Sequence, residues 1–303
     1  MALPHSKVYF GDRLVDAQDA TLGVATSAVL YGLSVYTVFP VRVDGERRTA
    51  FRLLDHYQRL VESCKIIGID TFASQWTFER FVQATHDVVA ANAPKTEVYV
   101  RATVHVDESI PGTRVRGLHT TVSIFLYDAN PIVPQDGMRL KTSVWRRIPD
   151  NAIPSRAKVN GAYVNSVLAK QDAIDSGFDD CIFLDINGHV CELSAANIFL
   201  VRNGVLVTPD VTSDILDGIN RRTILTLARE EGLTVAERTV DLTELYIADE
   251  VFVCGTSAGV APVYEIDGRA IGTKETGPVT LTLRKRHRAA LTSDEVHGWV
   301  SEL

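Results

Sequence analysis

Residues 180–210 read DCIFLDINGHVCELSAANIFLVRNGVLVTPD, and this stretch decides the architecture of the second half of the chain. Apolar, β-branched runs are broken by two Asn-Gly pairs, Asn187-Gly188 and Asn203-Gly204. Asn-Gly adopts the positive φ angles of a tight hairpin at little cost, so several antiparallel strands are expected here. Downstream, INRRTILTLAREEG (219–232) has the spacing of a helix. LTVAERTV (233–240) and EVFVCG (250–255) read as strands, and a C-terminal helical region completes the half. Upstream, RLKTSVWRR (139–147) reads as a strand and GAYVNSVLAKQDAIDSG (161–177) as a helix.

The first half has its own pattern. VYF and RLV flank Gly11-Asp12 as a short hairpin, and LSVYTVFPVRV (33–43) is a longer strand. FRLLDHYQRLVESCKIIG places Leu53, Tyr57, Leu60, Val61 and Cys64 on one helical face and ends near Gly68. A second helix, TFERFVQATHDVVAANA, stops before Pro94; EVYVRATVHV and HTTVSIFLYD then read as neighbouring strands. Between Tyr127 and Gly137 two prolines and polar residues suit a connector. The expected class is α/β of the α+β type. A smaller N-terminal α/β domain spans 1–128, a linker 129–136, and a larger C-terminal domain of antiparallel strands and helices 137–303.

Composition narrows the function. With 303 residues, 46% hydrophobic and 23% charged, the chain is an ordinary globular protein with length for two domains. A net charge of −7 without a dense basic cluster argues against nucleic acid, so a small-molecule substrate is expected. No apolar run approaches the roughly 18 residues needed to span a bilayer. The opening MALPHSKVYFGDRLVDA lacks the layout of a secretory signal, and a cytoplasmic location is expected. Cys64, Cys181, Cys191 and Cys254 form no CxxC pair and have no histidine at ligand spacing; buried free thiols are expected, and no metal site.

Several residues could carry chemistry. Lys158, in NAIPSRAKVNGAY, has small or apolar neighbours. Poor solvation of its ammonium form would free the amine to attack an aldehyde carbon, although a single lysine is far more often a solvated surface residue. Glu192 interrupts two apolar runs and could hold a proton on a heterocyclic nitrogen, or simply face water or pair with an arginine. Leu216-Asp217-Gly218-Ile219-Asn220 precedes a helix and offers free amides to a phosphate; plain capping by Asp217 explains the same letters. Gly255-Thr256-Ser257 follows a strand with a hydroxyl and two amides. Arg59 either pairs with Asp55 one turn back or aims its guanidinium at a phosphate.

Each signal is weak alone, but their order is not. Arg59 in HxxRL, Lys158 in IPSRAK with Tyr163 after it, Glu192 before SAANIF, the LDGINR turn and the CGTSA turn together resemble the fold-type IV pyridoxal-phosphate aminotransferases, most closely the branched-chain amino acid group. The resemblance runs from YGLSVY to PVYEIDG.

That resemblance implies pyridoxal 5'-phosphate as cofactor, carried covalently by Lys158, which also moves the substrate's α-proton. It implies that Glu192 pairs with the pyridine nitrogen and Tyr163 with the ring oxygen. Arg59, the amides of Ile219 and Asn220, and Thr256 would hold the phosphate, and Leu216 would also contact the cofactor; the family's usual threonine is replaced by Asn220. The substrate carboxylate would be received by Thr256, Ser257 and Ala258 with Tyr31 and Tyr99, and a second carboxylate by Arg101. Arg114 and Arg116, in PGTRVRG, are either carboxylate receivers or solvated loop charges. Partners implied are an amino donor, a 2-oxo acid such as 2-oxoglutarate, and a second copy of the chain in a homodimer.

The pocket strand departs from the branched-chain pattern. Val38 stands where glycine is expected, Thr37 for the acid and Pro40 for the base, so polar guidance of a carboxylate is expected to be reduced. Tyr36 with Val38 resembles the D-amino acid and (R)-amine transaminases, which supply the second reading; an aminodeoxychorismate lyase shares the cofactor residues. A serine hydrolase is a remote rival, because residues 255–259 fit GxSxG after a strand, but VAPVYEIDG continues as a β-like run where a helix is required. A non-catalytic binding protein on the same scaffold is the other.

Overall fold

In the computed structural model, which describes residues 3–293 and 296–303, the alternating runs of the first half become strands β1 (Lys7–Phe10), β2 (Arg13–Asp16), β3 (Ser34–Asp44), β4 (Arg47–Phe51), β5 (Val98–Val106) and β6 (Thr120–Asp128). Helices α1 (Ser27–Leu30), α2 (Leu53–Ile67), α3 (Phe72–Gln75) and α4 (Phe78–Asn92) accompany them. Gly68 ends α2 at φ 84°, its amide on the carbonyls of Cys64 and Lys65. Thr77 caps α4, its hydroxyl accepting the Arg80 amide.

Strand periodicity sorts this sheet into two faces. Val35, Phe39 and Val41 of β3, Val100, Ala102 and Val104 of β5, and Val122, Ile124 and Leu126 of β6 are buried in one core with Leu60 of α2 and Phe81 and Val88 of α4. The antiparallel register sets Val38 opposite Arg101, Tyr36 opposite Thr103 and Pro40 opposite Tyr99, so the other face is aromatic and polar.

The second half supplies β7 (Met138–Thr142), α5 (Tyr163–Asp175), β8 (Asp180–Leu184), β9 (Val190–Leu193), β10 (Asn197–Arg202), β11 (Val205–Thr208), α6 (Ile219–Glu230), β12 (Thr234–Glu237), α7 (Leu242–Tyr246), β13 (Glu250–Gly255), β14 (Gly259–Ile266), β15 (Arg269–Ala270) and α8 (Pro278–Ala290). These strands form a sheet in the order β12-β11-β10-β13-β14-β7-β8-β9, with β15 on β14. It is mixed: β11/β12, β14/β7 and β7/β8 are parallel. Asn203 and Gly204, at φ 49° and 75°, make the tight hairpin expected between β10 and β11.

The Asn187-Gly188 turn is longer and is built on a side chain. Asp185 Oδ1 accepts the amides of Asn187 and His189, each at 2.8 Å. Burial raises the Asp185 carboxyl, but the His189 and Asn187 amides and the His189 ring outweigh it, leaving the group below its usual range. Asp185→Ala should cost about 1–2 kcal/mol near neutral pH, read by urea unfolding. Because the folded pKa is depressed, that contribution is complete above the ordinary carboxyl range and is lost as pH falls through the folded value. The gap between wild type and variant should therefore narrow below about pH 4; a constant gap would contradict it.

Two segments leave their expected places. The strand expected over 139–147 ends at Thr142, and the Ser143 hydroxyl accepts the Trp145 amide as the chain bends. The last strand, β16 (Val300–Glu302), pairs antiparallel with β4, completing the sheet β16-β4-β3-β5-β6-β1-β2. The chain thus divides into one unit up to Asn130 with Ala157–Ala162 and Leu291–Leu303, and another of Pro131–Arg156 with Tyr163–Ala290. The expected boundary had placed 137–303 in one domain; two short returns to the first sheet redistribute it. All four cysteines are buried and free, and no described helix is long and apolar enough to cross a membrane.

Candidate functional site

In the first unit the backbone of Lys158 is clamped between a strand and a helix. Its carbonyl accepts the Tyr36 amide at 3.0 Å, its amide donates to Ser63 Oγ on α2 at 3.1 Å, and Val159 bridges Val35. Gly32, at φ 65°, lets this loop approach, since a Cβ there would lie 2.8 Å from the Gly161 Cα. Lys158 Nζ lies 4.8 Å from the centroid of the Tyr36 ring, against which Arg101 also stacks at 3.6 Å. Arg101 further donates to Asn160 Oδ1 at 2.7 Å. Val38, half-buried, and Tyr99, 8% exposed, share this face. His105, near Arg101, is pushed down to about 4 by burial and by that guanidinium.

Arg59 faces inward on α2 at 8% exposure, donating to Thr37 Oγ1 at 3.3 Å, and Thr37 Oγ1 is 2.7 Å from His56 Nδ1. Asp55, the alternative partner expected for Arg59, is held by Arg52 in a two-point contact of 2.8–2.9 Å. Thr37 corrects the sequence reading. It is fully buried on the α2 side of β3, so Thr37 and Pro40 point to opposite faces and cannot jointly replace a charge pair along one pocket wall. Tyr31 is 50% exposed, and Arg114 and Arg116 lie exposed on the loop between β5 and β6.

In the second unit Glu192, on β9, is 5% exposed and forms an ion pair with Arg147 at 2.7 Å. It also accepts Asn197 Nδ2 at 3.1 Å and the Leu216 amide at 3.2 Å. A carboxylate offers about four lone-pair sites, so pairing with an arginine does not by itself exhaust its capacity to meet a protonated ring nitrogen. The alternative of a paired acid is therefore realised without closing the functional one. Neither Arg147 nor Asn197 was singled out from sequence; the available signal was an acid inside an apolar run, which requires a partner.

The LDGIN turn delivers α6 with Gly218 as N-cap and no side-chain cap. The alternative of capping by Asp217 is not realised: Gly218 is the N-cap, and the Asp217 carboxylate pairs with Arg221 at 3.1 Å. A Cβ at Gly218 would lie 2.2 Å from Asn197 Oδ1, so a side chain there would push on the amide that Glu192 and the Leu216 carbonyl hold. Ile219 and Asn220 open the helix, both buried, and Asn220 Nδ2 is 3.4 Å from Thr256 Oγ1. Thr256, Ser257 and Ala258 form the tight connection between β13 and β14, so the GxSxG match sits in a strand-turn-strand and not in a nucleophile elbow. Ser257 lends its carbonyl to the Ile132 amide, and Ala258 is 1% exposed. Tyr163 opens α5. Lys170, the competing lysine nearby in sequence, is tied to Asp180 at 3.3 Å.

Taken separately, each unit carries groups of a kind that a phosphorylated pyridine aldehyde requires: an amine on a clamped backbone and an inward guanidinium in the first, and a buried carboxylate and a helix start beside a hydroxyl in the second.

Comparison with known proteins agrees. The amino-transferase class IV family model matches residues 34–266. A branched-chain-amino-acid aminotransferase of Pseudomonas aeruginosa is 37% identical over 284 residues, covering 92% of this chain and 91% of that protein. The solved branched-chain aminotransferase of Thermoproteus uzoniensis, with norvaline, superposes with a TM-score of 0.93 at 35% identity, over 98% of this chain and 99% of that one. The branched-chain amino acid aminotransferase of Thermobaculum terrenum, solved in its PLP-bound holo form, gives 0.90 at 31% identity, over 99% of this chain and 98% of that one.

Proposed function

This chain belongs to the class IV aminotransferase family, and from that premise we propose that it moves the amino group of hydrophobic, branched-chain-like amino acids to a 2-oxo acid such as 2-oxoglutarate. The observation that carries the reading is near full-length similarity to branched-chain aminotransferases, joined to the apolar and aromatic side chains of Tyr36, Val38 and Tyr99 on one sheet face. When bound, pyridoxal 5'-phosphate supplies the carbonyl that takes up the donor's amine and the ring that draws electrons from its α-carbon.

The chain's own residues do the rest. Lys158 carries the cofactor and moves the α-proton. Glu192 holds the proton on the ring nitrogen and Tyr163 bonds the ring oxygen. Arg59, the Ile219 and Asn220 amides and Thr256 hold the phosphate, and Leu216, whose amide serves Glu192, contacts the cofactor beside it. Thr256, Ser257 and Ala258, with Tyr31 and Tyr99, receive the substrate carboxylate, and Arg101 a second one. The working form is a homodimer; the exposed Val164, Val167 and Leu168 on one face of α5 favour burial against a second copy.

Half-reactions with L-leucine, D-alanine and (R)-1-phenylethylamine, followed by loss of the cofactor's visible absorbance band, test the substrate. L-Leucine should bleach the band. Bleaching by D-alanine or the amine, with L-leucine inert, would overturn this reading in favour of the D-amino acid or (R)-amine activity that Tyr36 and Val38 resemble.

A further inference from the structure

Asn220 stands where the family usually carries threonine, and the buried imidazole behind it, His287 of α8, has no role in the scheme above. His287 is 3% exposed, with Nε2 2.8 Å from Asn220 Oδ1. Burial and the nearby Arg288 charge push the ring down to about 4, so it is neutral at pH 7. A neutral imidazole nitrogen facing an amide oxygen donates its proton there. That contact selects one of the two amide orientations and turns Nδ2 the other way, toward Thr256 Oγ1 at 3.4 Å.

The helix that carries the imidazole is anchored near both ends. At the start of α8, Glu250 accepts the amides of Val279 and Thr280 and the Thr280 hydroxyl. Toward its end, Arg286 pairs with Glu230 at 2.8 Å and Glu231 at 2.9 Å, beside the last turn of α6. Through Arg286, the helix that carries His287 meets the end of the helix that carries Asn220.

We propose that His287 is a positioning residue for the cofactor phosphate, holding the Asn220 amide so that its N–H, and not its carbonyl, faces the anion. A threonine hydroxyl can rotate into the donor role by itself, whereas an asparagine presents either a donor or an acceptor and needs a neighbour to decide. The inference rests on the placement of the phosphate at the Asn220 and Thr256 turns.

The test compares the affinity of apoenzyme for pyridoxal 5'-phosphate with that for pyridoxal, which lacks the phosphate. His287→Leu should weaken pyridoxal 5'-phosphate roughly ten- to hundredfold, the range for a lost hydrogen bond to a charged group, and leave pyridoxal within about twofold. His287→Gln, which retains an N–H donor, should recover most of the loss. Asn220→Thr should make the His287→Leu change almost silent. Equal weakening of both ligands, or of neither, would overturn the role of His287. If the wild type shows no preference for the phosphorylated ligand, the phosphate assignment itself fails, and the inference with it. Should the leucine variant not fold, nitrogen-15 NMR of the wild-type ring decides the matter: a proton on Nε2 is required, and a proton on Nδ1 alone contradicts the proposal.

Discussion

Lys158→Ala should lower transamination by about four orders of magnitude, while the variant folds with near wild-type stability. The loss follows from removing the amine proposed both to carry the cofactor and to move the α-proton. Stability should survive because the structural role of this residue lies in its backbone, through the Tyr36 and Ser63 contacts, which alanine retains. Steady-state kinetics and a thermal melt check the two halves. Lys170→Ala is the control: its ammonium serves Asp180, and activity should remain within a few fold. A Lys158→Ala enzyme that keeps a tenth of wild-type activity would remove this residue from the chemistry.

Glu192→Gln should be costly in two separable ways. Loss of the negative charge proposed at the ring nitrogen should lower kcat by about two to three orders of magnitude, the scale of one preorganised electrostatic partner. The same change leaves the Arg147 guanidinium, 12% exposed, without its counter-ion. Uncompensated buried charge costs about 3–5 kcal/mol, so urea unfolding should show a large fall in stability. Arg147→Met combined with Glu192→Gln should recover much of that stability and none of the rate. A double variant as unstable as the single one would mean that Arg147 is not what the carboxylate compensates.

Much of this architecture was legible because local chemistry dictated it. Asn203-Gly204 accepts positive φ at both positions, and a hairpin followed. The apolar spacing from Leu53 to Cys64, with Gly68 beyond it, specified α2 to within a residue or two. What was not legible depended on partners distant in sequence. Arg147 looked like the end of a strand because RLKTSVWRR continues the pattern, but its side chain is committed to Glu192, 45 positions later, and β7 stops at Thr142. The three residues of β16 carry no strand signal until β4 is there to pair with them.

The site follows the same division. Lys158, Glu192 and Arg59 stand out by motif order, and the roles proposed for them rest on that order. His56, Asn160, Asn197 and His287 did not stand out, since each acts by holding another residue. The side on which Thr37 lies was available from strand parity with Val35 and Phe39.

Borohydride reduction of the cofactor-loaded protein, followed by peptide mapping, tests the central claim most directly. The pyridoxyl group should be found on the peptide containing Lys158. Its recovery on Lys170, or on no lysine at all, would contradict the account.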